Sequence, residues 1–143
     1  MPTDDVADLV TRFYTTVHND HDLSMLDRAF DPKVVAHWSG LPELQGAAQL
    51  RAAIEADLEG FPDQAMTLDD MVVDGETAAS RWTYRGTHTG DYYGIPATGR
   101  AITSTVVAFD RIRDGVLVEN WTVFDNYEVM RQLGIVPDDE VVS

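Results

Sequence analysis

A chain of 143 residues with 44% hydrophobic and 9% aromatic content suits one domain, residues 1–143, around a single core. Twenty-five Asp and Glu against ten Lys and Arg leave a net charge of −15, so neither nucleic acid nor an anionic membrane surface is an expected partner. The absence of cysteine excludes disulfides, thiolate metal ligands and a cysteine nucleophile. No stretch approaches the ~20 apolar residues of a membrane span. The acidic start, Met1-Pro2-Thr3-Asp4-Asp5, is unlike a secretory signal, and a cytoplasmic location is expected.

Val6, Leu9, Val10, Phe13, Tyr14 and Val17 follow the stripe of a helix with one buried face, with Thr3 as its expected N-cap. Asn19-Asp20-His21-Asp22 reads as a turn, with His18 and His21 solvated beside it. A short helix from Leu23 to Phe30 and a strand from Lys33 to Trp38 follow. A third helix, Ala47 to Glu59, carries Leu50, Ile54 and Leu58 and is closed by Gly60 and Pro62.

Beyond Pro62 the period changes to that of strands, over 65–73, 76–87, 100–113 and 116–126. Asp74-Gly75 and Asp114-Gly115 mark the hairpins that join them in pairs. A glycine-rich loop, His88 to Gly99, separates the pairs; it lacks the lysine and the strand–loop–helix setting of a phosphate site. A short helix from Tyr127 to Leu133 ends at Gly134, and 137–143 are expected to form a frayed tail. Helices first and antiparallel strands afterwards mean an α+β fold, a curved sheet with about three N-terminal helices against one face. Such a cone can hold a small-molecule pocket.

Strand alternation sorts the candidate pocket residues. Glu119, Trp121, Val123 and Asp125 share one face of the last strand, and Val118, Asn120, Thr122 and Phe124 the other. Ser80, Trp82, Tyr84 and, if the strand continues, His88 share a face of the 76–87 strand. The pattern leaves open which faces point inward.

Phe61-Pro62-Asp63, Asp74-Gly75, Arg81-Trp82 and Gly86-Thr87-His88-Thr89-Gly90 resemble motifs of the SnoaL-like polyketide cyclase family. So do Gly94-Ile95-Pro96-Ala97-Thr98-Gly99-Arg100, Asp114-Gly115, Glu119-Asn120-Trp121, Asp125 and Gln132-Leu133-Gly134, in that family's order over about residues 5 to 135. The resemblance implies an NTF2-like cone, commonly dimeric or larger, and an intramolecular aldol ring closure without metal or cofactor. It places the family's catalytic carboxylate at Asp125. The segment Thr103 to Phe109 departs from the pattern, with no His or Gln where the family's characterised cyclases bind the substrate carbonyl.

The chemistry fits a carboxyl. Ring closure removes a proton beside one carbonyl and delivers one to another, which a desolvated aspartate can do. Asp125 is the candidate acid/base, though it could equally cap the helix that follows. His37 and His88 are candidate helpers, with a satisfied strand-end imidazole and a loop-holding role as their structural alternatives. Tyr14, Trp38, Tyr84, Trp82 and Trp121 are candidate pocket walls or core. The histidines lack metal-ligand spacing, so no metal is expected, and the resemblance implies no cofactor; the expected partner is a hydrophobic small molecule, polyketide-like in the family reading. Two other classes stay open: an epoxide-opening enzyme, for which Arg81 or Arg100 would have to face the pocket beside two carboxylates, and a non-catalytic binding or homodimerising module.

Overall fold

The computed structural model describes residues 2–136. The expected tail, 137–143, lies outside the described residues. Helix α1 (Thr3–Tyr14) runs into a π turn (Thr15–Asn19); a 3₁₀ turn (Leu23–Met25) leads into α2 (Leu26–Ala29). Strand β1 (Phe30–Trp38), the short β2 (Leu44–Gln45) and α3 (Ala47–Gly60) follow. Then come β3 (Ala65–Asp74), β4 (Thr77–Thr87), β5 (Ala101–Arg113), β6 (Val116–Phe124) and α4 (Asn126–Gln132). The sheet order is β2-β1-β6-β5-β4-β3, antiparallel throughout except where β1 runs parallel to β6. The α+β architecture read from the sequence is the observed one.

Thr3 is the first residue inside α1 rather than its cap; the amides of Asp5 and Val6 bond the Pro2 carbonyl instead. The apolar stripe behaves as expected: Val6, Val10, Tyr14 and Val17 are all buried. Each contributes ~1.5–3 kcal/mol of apolar burial against the sheet. In the second hairpin Arg113 pairs with Val116, so Asp114 (φ 51°) and Gly115 (φ 78°) are the two loop residues, both in the left-handed region that such a turn requires.

Burial alternates cleanly along the long strands. Ala78, Ser80, Trp82 and Tyr84 of β4, the even residues Ile102 to Ile112 of β5, and Asn120 and Thr122 of β6 face the helices. Val107, Phe109, Arg81, Arg111 and Val123 face outward. The loop after β4 is docked on the end of α3 at two glycines. A Cβ on Gly90 would stand 1.9 Å from the Glu59 carbonyl oxygen, and one on Gly60 would stand 2.7 Å from the Tyr92 ring. That close approach brings Tyr92 against Phe61.

Candidate active site

Between the helices and the inner face of the sheet lies a cavity that opens to solvent. Apolar side chains such as Phe13, Ile54, Phe61 and Val106 form most of its wall. The polar groups in that wall divide into a helix-side set and a sheet-side set.

On the helix side, Asp57 projects from α3. Its position continues the Leu50, Ile54 stripe by three residues and precedes Phe61 by four, so it sits on the face that α3 buries. Burial pushes its carboxyl up to about 6, against the opposing pull of the Gln64 amide and the Tyr84 hydroxyl. The Tyr84 oxygen lies 3.5 Å from Asp57 Oδ1. Burial and the Asp57 charge together raise the Tyr84 phenol, which therefore stays protonated and can only donate to that carboxylate. His18 comes from the π turn and lines the same wall, with its Nδ1 2.5 Å from Gln64 Oε1.

On the sheet side, Asp110 is 1% exposed, the last but one of the inward row of β5. The Tyr14 hydroxyl donates to its Oδ2 at 2.9 Å, and the Asn120 amide donates to its Oδ1 at 2.7 Å. Asn120 Oδ1 in turn accepts from Thr122 Oγ1 at 2.8 Å and from Trp38 Nε1 at 3.2 Å. Tyr14, Asn120, Thr122 and Trp38 all line the cavity, whereas Asp110 lies behind them. Burial raises the Asp110 carboxyl to about 6, the two donors notwithstanding. The same burial, with Asp110 alongside, pushes the Tyr14 phenol well up. When Asp110 is ionised Tyr14 donates to it; when Asp110 is protonated its own O–H can turn to Tyr14, freeing the phenolic proton for the cavity. Ser104 also lines the cavity, and the one hydrogen-bond contact of its hydroxyl among the described residues, to the Thr105 carbonyl at 3.5 Å, is too long to satisfy it.

Three of the candidate wall residues, Tyr14, Trp38 and Tyr84, do line the cavity. Trp82 does not: it is fully buried core, its indole N–H bonded to Ser80 Oγ at 2.8 Å. Trp121 lies on the outer sheet face, where the His37 ring stacks on it and the Arg111 guanidinium stands 5.0 Å from its centroid. His37 is on that outer face too, with Nε2 2.9 Å from Glu119 Oε2. The inward row of β6 is Asn120, Thr122 and Phe124, so parity alone puts Trp121 and Glu119 outside.

Asp125 caps α4, accepting from the Glu128 amide at 3.0 Å. It is exposed and does not line the cavity. His88 is fully buried behind Phe61 and Tyr92, and its Nδ1 accepts from the Thr98 amide at 3.2 Å, which pins the loop. Two carboxyls at the cavity, the partly buried Asp57 and the fully buried Asp110, carried a signal in the sequence: one follows a helix stripe, the other sits in an alternating strand row. His18 and His21 are not free in solvent; His21 Nε2 lies 2.9 Å from the Gln64 carbonyl oxygen.

Among the described residues no arginine lines the cavity. Arg81 points outward, 3.9 Å from Asp69, and Arg100 lies against Gln132 and Gly134. The described residues hold no group of three His, Asp or Glu side chains placed to bind a metal ion. Nor is any described helix long and apolar enough to cross a membrane.

An α+β cone with a largely apolar internal cavity and a few aimed polar groups defines a class of small-molecule proteins. The particular family is shown by comparison: the sequence profile of SnoaL-like polyketide cyclases matches residues 8–133, and the chain belongs to that family. Among solved structures it is similar to TsrD from Streptomyces laurentii, with 30% identity and a TM-score of 0.83 over 95% of this chain and 99% of that one. It is similar also to IdmH from Streptomyces antibioticus, described as a candidate polyketide cyclase, with 31% identity and a TM-score of 0.78 over 90% and 98% of the two chains. An NTF2-like protein of unknown function from Burkholderia pseudomallei shares the fold at 20% identity, TM-score 0.76, over 90% and 97%. No curated protein matches the chain.

Proposed function

We propose that the protein is a cofactor-independent cyclase that closes a ring in a polyketide-like small molecule by an intramolecular aldol step. The observation that supports this reading best is the Asp57 carboxyl, set in the wall of an apolar cavity with its ionisation moved into the neutral range. Ionised Asp57 takes a proton from the carbon beside one carbonyl. That carbon attacks a second carbonyl of the same chain, and Tyr14 protonates the resulting alkoxide while drawing its proton from the carboxyl of Asp110. Ser104 Oγ is a further donor to the polarised oxygen. The apolar wall selects a folded, reactive conformer of a flexible substrate. Asp57 thus takes the role that the family resemblance assigns to Asp125, and no step uses His37 or His88.

The homodimer expectation rests on the outer sheet face. Register places Phe109 opposite Trp121 and Val107 opposite Val123, a contiguous apolar square next to Arg81 and Arg111. In a chain of net charge −15 this is where two copies repel least, and we assign the face to a second copy.

The proton-abstraction half of the mechanism is testable without the natural substrate. Deuterium exchange into the methyl group of 2-acetylnaphthalene is followed by NMR in D₂O. Wild-type protein is expected to accelerate it with a rate that rises through about pH 6 as Asp57 ionises and levels above it, and Asp57→Asn to lose about 10²-fold or more. Asp125→Asn should exchange at the wild-type rate. Wild-type activity in Asp57→Asn would remove Asp57 from the mechanism.

A further inference from the structure

His18 stands in the cavity wall with one face of its imidazole already committed. Gln64, 1% exposed, directs its Nε2 to the Phe61 carbonyl at 3.3 Å, and that carbonyl can only accept. The Gln64 amide is therefore fixed in one sense, with Oε1 towards His18. An amide oxygen needs a donor, so Nδ1 of His18 carries the proton and Nε2 holds a lone pair. Burial favours the neutral ring, lowering the His18 pKa from its ordinary value.

Nothing among the described residues bonds that second nitrogen, and it is not sealed among the buried polar atoms that lack partners. The residue carrying it lines the cavity. His18 also belongs to a five-residue π turn, Thr15–Asn19, an uncommon helical geometry in which Val17 and His18 are buried together. His18 follows Tyr14 by four residues, so it continues the Val6, Val10, Tyr14 stripe through this turn and stacks on the Tyr14 ring.

We propose that His18 Nε2 is a ligand acceptor that selects molecules carrying a hydroxyl, phenolic or enolic, beside the group that Asp57 addresses. Gln64 is its positioning residue: it holds the less common Nδ1–H tautomer, so the lone pair faces the ligand. The inference rests on the reading of the cavity as the substrate site and adds to it the substrate class, a hydroxylated aromatic or an enolised β-dicarbonyl. A simple ketone without a neighbouring O–H would leave that acceptor unmatched and bind about tenfold more weakly, while still reaching Asp57 at saturating concentration.

Two probes differing by one methyl test this: 2-naphthol, which donates, and 2-methoxynaphthalene, which cannot. Long-range ¹H–¹⁵N NMR of the full-length protein should show His18 with a protonated Nδ1 and a bare Nε2. The Nε2 resonance should move on addition of 2-naphthol and stay in place with 2-methoxynaphthalene. Fluorescence titration should show 2-naphthol binding about tenfold more tightly, the worth of one hydrogen bond, with the difference lost in His18→Phe. Gln64→Leu should shift the ring towards the Nε2–H tautomer and reduce the same preference.

A protonated Nε2 in the wild type, or equal binding of the two probes, would overturn the role of His18 and leave the cavity reading standing. So would a preference that survives His18→Phe without any Nε2 response, which would assign the acceptor to Asp57. Failure of both probes to bind at saturation would instead overturn the cavity as an aromatic ligand site, and with it this inference.

Discussion

Replacing Asp110 with Asn tests the raised ionisation on which the proposed proton delivery depends. The wild-type carboxyl is held at about 6 against an ordinary value of 3.8. A two-unit rise is worth ~3 kcal/mol at about 1.4 kcal/mol per unit. The folded state binds the Asp110 proton more tightly than the unfolded chain does, so this group lowers stability as pH rises between those two values and adds nothing further above them. Between about pH 4.5 and about pH 7.5 roughly two-thirds of the effect develops, ~2 kcal/mol. Asp110→Asn keeps an acceptor for the Asn120 amide and a donor for the Tyr14 oxygen, while removing the charge. Its stability relative to wild type should therefore improve by ~2 kcal/mol over that interval.

Urea unfolding at fixed protein concentration reads this directly. With a slope of about 2 kcal/mol per molar, the midpoint gap between variant and wild type should change by about 1 M between the two pH values. Comparing variant with wild type at each pH cancels the carboxylates that shift the other way, such as Glu128, which its Arg131 partner pulls down to about 2. A midpoint gap independent of pH would mean that Asp110 ionises normally, and Tyr14 would then have no proton reserve behind it.

Two further outcomes separate the site from its scaffold. Asp125→Ala should cost ~1 kcal/mol by uncapping α4, measured by thermal unfolding, without changing 2-naphthol affinity; a loss of affinity would return Asp125 to the site. Phe109→Glu should convert a dimer into a monomer in sedimentation analysis, because it puts a charge into the apolar square of the outer sheet face, whose Phe109 is 49% exposed. An unchanged sedimentation coefficient would remove that face from the proposed assembly.

The legibility of the chain varies with the range of the forces involved. Strands β3 to β6 and helices α1 and α3 were readable because a period of two or of 3.6 residues is imposed by one buried face, and the turn residues punctuate it. Strand β2 was missed: two residues carry no period. Which face of β6 is inward was not readable, since Trp121 and Asn120 each suit a mixed aromatic and polar wall. The answer comes from the pairing of β6 with β5, where Asp110 faces Asn120 and Phe109 faces Trp121. The π turn that buries His18 was hidden as well, because the sequence reads as a helix running into a polar turn. Asp57 falls three residues after Ile54 on α3 and Asp110 on the same face of β5 as Val106 and Ala108, but the sequence reading assigned neither to a buried row, so these interior carboxyls were not singled out.

Such carboxyls carry an energetic cost. At neutral pH the Asp110 carboxylate costs the fold ~3 kcal/mol, a large share of the 5–15 kcal/mol by which a domain of this size is stable. Asp110→Leu alone would spare the fold that desolvation but leave the Tyr14 hydroxyl without its partner. Adding Tyr14→Phe would remove that need as well. A cavity meant only to bind grease would thus be more stable with an aliphatic side chain and a phenylalanine at these two places than with the carboxyl and phenol it has. The Asp57 carboxyl sets the same problem on the opposite wall, again with no cationic partner among the described residues. Two titrating acids in one apolar cavity, one in direct contact with the ligand space and one reaching it through a phenol, are costly as architecture and useful for moving protons. This asymmetry favours a catalytic reading of the cavity over a purely binding one, and it makes the pH profile of exchange, more than affinity, the quantity that decides between them.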